Sequence, residues 1–146
     1  MSESVVVTEV RNRSLWIRLN RPDAMNSLTP EVLQAIDKGL DQALESTDVM
    51  TVVLTGTGRA FCAGADLKYV RGQLGENGTS AFLAGVLRTM SRLDRFPKPV
   101  IASLNGITLA GGLELVLCCD LVIAAKSAKI GDAHANYGLL PGGGGS

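Results

Sequence analysis

At 146 residues, with fourteen basic and fourteen acidic side chains and no formal net charge, the chain is long enough for one domain with a buried core. No basic block is present, which excludes the electrostatic footprint of nucleic-acid binding and a polybasic membrane anchor, and leaves small molecules or protein as partners. Three cysteines, Cys62, Cys118 and Cys119, are an odd number, two of them adjacent in an apolar run, and read as small core residues in a reducing compartment. The first residues lack both a basic n-region and an apolar stretch of sufficient length, so a soluble cytoplasmic protein is expected.

Taken in order, Val5 to Val10 and Leu15 to Leu19 are β-rich runs separated by Arg11-Asn12-Arg13-Ser14, which predicts a hairpin. Thr29 offers an N-cap hydroxyl, Pro30 suits the first helical position and Glu31 complements the helix dipole. Val32, Leu33, Ile36, Leu40, Ala43 and Leu44 then recur at helical spacing. Thr51 to Thr55 is a β-branched run, too short for a helix, that predicts a buried parallel strand. Phe82, Leu83, Val86, Leu87, Met90 and Leu93 predict a second long helix, ended by Pro97 and Pro99 before a strand over 100–104. A short buried helix from Gly111 to about Cys118 follows, then strands over 121–124 and 128–130. This alternation is the signature of α/β architecture, and no linker divides residues 1–146.

Glu114 is the only charged residue between Pro99 and Asp120. A carboxylate in that apolar stretch loses solvation unless it is partnered, which makes it a candidate proton-transfer group; the plainer reading is a charge that reaches solvent or a salt bridge. Two glycine-rich turns, residues 60–68 and 105–114, each follow a predicted strand (51–55 and 100–104) and end at a predicted helix start. Small residues there let a carbonyl oxygen come within about 3 Å of backbone N–H groups, so the two turns together could form an oxyanion hole. Neither is a phosphate loop, since GxxxxGK[ST] is absent and no GxGxxG follows the first strand.

These residues resemble the crotonase, or enoyl-CoA hydratase/isomerase, superfamily. The resemblance runs in order through Asn20-Arg21-Pro22 with Ala24-Met25-Asn26-Ser27-Leu28, Ala60-Phe61-Cys62-Ala63-Gly64-Ala65-Asp66-Leu67, and Pro97-Lys98-Pro99-Val100-Ile101-Ala102 with Asn105-Gly106. It continues through Gly111-Gly112-Leu113-Glu114-Leu115 and Cys119-Asp120 to Gly138-Leu139-Leu140-Pro141-Gly142. The resemblance implies a spiral of strand-strand-helix units without the family's C-terminal helical region. It also implies an acyl-CoA substrate, with coenzyme A as part of it, no prosthetic group, no metal, and, where the C-terminal region is present, a homo-oligomer, a trimer or dimer of trimers.

Carried over by position, the N–H groups of Ala65 and Gly111 would polarise the thioester carbonyl. Ala63, Ala65, Asp66 and Leu67 would border the adenine pocket, and Ala24 and Met25 the pantetheine. Lys68 or Arg21 would meet phosphates, while Asp66 reads equally well as a helix N-cap. Glu114 matches one of two glutamates that hydratases of this family use on water and the α-proton. The second position holds His134, the only histidine, after Ala133. Imidazole exchanges protons near neutral pH, so a Glu114–His134 pair could replace two carboxylates. The implied activity is therefore a hydratase-like lyase, with a CoA-ester hydrolase or isomerase using His134 as one alternative and a silent CoA-binding scaffold as another. Family members are much longer than this chain, so an exposed apolar face is expected where C-terminal helices would lie. Gly72, Gly75 and Gly78 predict a mobile segment within 70–81, and Gly142 to Ser146 could by composition equally be a linker.

Overall fold

A computed structural model describes residues 4–73 and 77–145; Gly75, one of the three glycines of the expected mobile segment, lies outside the described residues. Strands β1 (Val6–Arg11) and β2 (Ser14–Leu19) form the antiparallel hairpin, with the turn carried by Asn12 and Arg13 at φ 47° and 64°. Helix α1 (Pro30–Glu45) starts as the sequence predicts, with the Val32 N–H donating to Thr29 Oγ1 at 3.3 Å. Its last turn is closed from outside, where Lys98 Nζ donates to the carbonyls of Ala43, Ser46 and Val49 and so satisfies oxygens the helix cannot.

Three successive turns of chain then repeat one plan. Strand β3 (Thr51–Gly56) is followed by β4 (Ala60–Cys62) and helices α2 (Leu67–Gly72) and α3 (Gly78–Asp94). Strand β5 (Val100–Leu104) is followed by β6 (Ile107–Leu109) and helix α4 (Gly111–Leu117). Strand β7 (Leu121–Ala124) is followed by β8 (Ile130–Gly131) and a 3₁₀ turn (His134–Tyr137). The first strand of each turn joins a five-stranded sheet, β1-β2-β3-β5-β7, and the second joins a three-stranded parallel sheet, β4-β6-β8. The expected spiral is therefore present. The glycine-rich turns do not follow the strands at 51–55 and 100–104 directly, because each first contributes a three-residue strand to the smaller sheet.

The core lies between the large sheet and helices α1 and α3. Leu15, Ile17 and Leu19 of β2, Val52 and Leu54 of β3 and Val100, Ala102 and Leu104 of β5 meet Ile36 and Leu40 of α1 and Val86, Met90 and Leu93 of α3. Each such side chain removed from water stabilises the fold by roughly 1.5–3 kcal/mol. The apolar stripes are narrower than the spacing predicts, for Leu44, Leu83 and Leu87 stay exposed at their rims. Strand β7 forms one edge of the large sheet, and Leu121, Val122 and Ile123 are all exposed there, the apolar face expected at this end. Among the described residues no helix is long and apolar enough to cross a membrane.

Candidate active site

The site is built at the carboxyl ends of the small sheet. Strands β4, β6 and β8 are parallel, pairing Ala60 with Ile107, Cys62 with Thr108, and Leu109 with Gly131. The residues that follow each strand, Ala63 to Asp66, Ala110 and Gly111, and Asp132 to His134, are therefore delivered to one place. Ligands collect at such strand ends because the chain turns there and leaves N–H groups unpaired.

Close approach of the first two turns depends on glycine. Gly64 has φ 101°, and a methyl group on it would lie 2.9 Å from Ala110 Cβ and 3.1 Å from Gly111 N. A methyl group on Gly112 would sit 2.1 Å from the Cys62 carbonyl oxygen, so only glycine lets α4 rest on β4. Ala110, which no sequence signal marks, has φ 48° and ψ −120°. That conformation costs a side-chain-bearing residue about 1–3 kcal/mol and is held by the bonds on either side: the Ala110 N–H donates to Gly131 O and its carbonyl accepts from Glu114 N. The consequence is that Gly111 N and Ala65 N come together, an added Gly111 Cβ lying 3.5 Å from Ala65 N. Among the described residues neither N–H has an acceptor. The neighbouring Leu28 uses Gly64 O and Asp66 N instead, at 2.8 and 2.9 Å.

A cleft of about 530 Å³ opens beside this pair, bordered by Ala24, Met25, Ala63, Ala65, Asp66 and Leu67, the six residues carried over as CoA-binding, and by His134. The Ala63 N–H donates to Met25 O at 3.0 Å, which ties the 24–28 turn to the 63–66 turn and explains why both reach one cleft. Asn26 is buried in that tie, donating to Thr57 O and Ala60 O. Arg21 and Lys68 also border the cleft. Lys68 is exposed, whereas the Arg21 guanidinium donates to Asp66 Oδ2 at 3.0 Å and to Ser27 O at 2.7 Å. Asp66 is the N-cap of α2, its Oδ1 accepting from Lys68 N and Tyr69 N. Burial pushes this carboxyl up, but the Tyr69 N–H, the Arg21 guanidinium and the Ser27 hydroxyl together hold it below the usual carboxylate range.

Glu114, in the first turn of α4, is buried, as its surroundings in sequence imply. Its Oε1 accepts from the N–H groups of Gly143 and Gly145 at 2.7 and 3.0 Å, and its Oε2 lies 3.6 Å from His134 Nε2. The 142–145 run is thus not a loose linker: it folds back over the carboxylate. His134 reaches the same group from the 3₁₀ turn after β8, and its other ring nitrogen, Nδ1, lies 2.5 Å from Asp132 Oδ1. That contact holds the Asp132 carboxyl below its ordinary value. His134 borders the cleft, while Glu114 stands behind it. The cysteines take no visible part. Burial pushes the Cys62 thiol up to about 12 and the Cys119 thiol likewise to about 12, so neither is a thiolate near neutral pH.

Residues 9–146 match the family described as Enoyl-CoA hydratase/isomerase. The chain belongs to that family. Relatives include the 2,3-dehydroadipyl-CoA hydratase of Escherichia coli, 37% identical over 147 residues that take in 100% of this chain and 55% of the relative. Among solved structures, an enoyl-CoA hydratase from Bacillus anthracis is 38% identical with a TM-score of 0.91, covering 97% of this chain and 55% of its own. One from Polaromonas sp. JS666 is 30% identical with a TM-score of 0.92, covering 96% and 55%. The chain therefore spans about 55% of the length of these family members. The match runs through Gly142 to Ser146, so that glycine-rich run belongs to the family pattern.

Proposed function

We propose that the protein adds water across the 2,3 double bond of an acyl-CoA thioester. The observation that carries this reading is the pair of unpaired N–H groups at Ala65 and Gly111, next to a carboxylate and an imidazole. A thioester oxygen between the two donors becomes more negative as the reaction proceeds, and each fixed donor of this kind contributes about 3–4 kcal/mol to an enolate-like transition state. As the water oxygen bonds to Cβ, the electron pair of the double bond moves through Cα onto the thioester oxygen, and the Glu114–His134 pair takes the proton water loses. The pair then returns a proton to Cα as the enolate collapses, so one proton carrier is enough and the site ends as it began. The 3.6 Å between Oε2 and Nε2 is too long for a hydrogen bond, so the pair works by tightening or through the reacting water. The three free cysteines support a reducing, cytoplasmic setting.

A second reading, a CoA-ester hydrolase or isomerase using His134, is favoured by one fact: His134 borders the cleft and Glu114 does not. Crotonyl-CoA separates these. Hydration removes the absorbance of the conjugated thioester, releases no thiol and adds the mass of one water, whereas loss of absorbance with neither thiol nor added mass assigns an isomerase. Loss of absorbance matched by free thiol assigns a hydrolase instead, and CoA binding without any change in the thioester assigns a silent binding protein.

A further inference from the structure

His134 stands between two carboxylates, and only Glu114 has a part in the chemistry above. Asp132 follows β8 directly, and its Oδ1 accepts twice from His134, from the backbone N–H at 3.2 Å and at ring Nδ1, 2.5 Å away. The first contact closes a turn that points the imidazole back into the fold, and the second decides which nitrogen carries the proton. An ionised carboxylate can only accept, so Nδ1 must be the donor. In an unpartnered histidine side chain that proton prefers Nε2, and a proton fixed there would hold the ring in the wrong form to take one from water.

We propose that Asp132 is a positioning residue, which keeps the His134 proton on Nδ1 so that Nε2 and Glu114 Oε2 share the one proton that moves during the reaction. Its carboxylate touches no reacting atom and works through the ring alone. Asp132 is half exposed, whereas the His134 side chain is 12% and Glu114 5% exposed, so the outer carboxylate holds from the solvent side a ring whose working edge faces inward. The proposal rests on the Glu114–His134 reading for its role in turnover, though not for the placement of the proton.

A single histidine makes the test direct, since ¹⁵N-histidine labelling yields one pair of ring-nitrogen resonances. The wild-type protein is expected to show the Nδ1–H form. In Asp132→Ala the proton is expected on Nε2, with kcat for crotonyl-CoA reduced on the order of 10- to 100-fold, as when an orienting partner of a functional histidine is removed, and KM within about twofold. Asp132→Asn keeps an oxygen that accepts from both the His134 backbone N–H and Nδ1, so it is expected to retain the Nδ1–H form and most of kcat, the conservative rescue that a merely folded turn would not distinguish from Ala. A wild-type protein in the Nε2–H form, an Nδ1–H form unchanged in Asp132→Ala, or a moved proton with unaltered kcat overturns the proposal. Should Glu114→Gln leave turnover intact while Asp132→Ala moves the proton, the proton-pair reading falls and the placement by Asp132 stands.

Discussion

Asp66 and Glu114 are carboxylates at the starts of two helices, each beside one of the two glycine-rich turns, and their surroundings differ in kind. Asp66 is spent: Oδ1 caps α2 and Oδ2 meets Arg21 and Ser27. Glu114 has no Lys or Arg partner among the described residues; two glycine N–H groups hold one oxygen, and the other lies 3.6 Å from an imidazole nitrogen. The contrast separates a carboxylate held in a network of caps and an ion pair from one without a cationic Lys or Arg beside it. Pairing with a guanidinium at Glu114 would have left no place for the proposed proton transfer.

Variants can break this contrast at either end. The largest effect on stability is expected at Gly112, where a methyl group 2.1 Å from Cys62 O forces α4 off the small sheet and displaces Glu114 with it. Gly112→Ala should cost about 3 kcal/mol in urea unfolding, at the upper end of overpacking costs, together with turnover. Asp66→Ala comes next. It removes two cap bonds and leaves Arg21 without its carboxylate, an expected loss of about 1–2 kcal/mol, visible as a lowered Tm. Glu114→Gln should move stability less, within about 1 kcal/mol, because an amide oxygen still accepts from Gly143 and Gly145. A Glu114→Gln protein far less stable than Asp66→Ala would make Glu114 the structural carboxylate.

The smallest expected effect lies in acid. A carboxyl held below its ordinary value favours the ionised form in the folded state, so its stabilisation is complete above the unfolded value, about 4, and is lost as pH falls through the depressed folded value. Urea midpoints of the wild type should therefore fall more steeply below about pH 4 than those of Asp66→Asn. Identical slopes would remove Asp66 from the account of acid stability.

Much of the frame could be read from residues. The β-branched run at 51–55, too short for a helix, the run at 100–104 after two prolines, and the helical spacing from Val32 to Ala43 occur where expected. Of the small sheet only the last strand was legible, expected over 128–130 and found at Ile130–Gly131, because the two three-residue strands carry no period and sit inside sequence that reads as glycine-rich turns. Yet that sheet assembles the site. Glu114 and His134 were legible as an isolated charge and a lone histidine at matched positions. The clasp of Gly143 and Gly145 was not, since its donors are backbone atoms and a run of glycines looks the same in a linker. Asp132 was hidden for a related reason: the contact that distinguishes it is made two residues away, in a turn that composition does not single out.

The central claim is that Glu114 carries proton chemistry on a thioester held by Ala65 and Gly111, and the initial rate of crotonyl-CoA absorbance loss by Glu114→Gln tests it most directly. The account predicts a fall of about 10²- to 10⁴-fold with the thermal unfolding of the variant close to that of the wild type. A correctly folded Glu114→Gln protein that turns over crotonyl-CoA at the wild-type rate would contradict it.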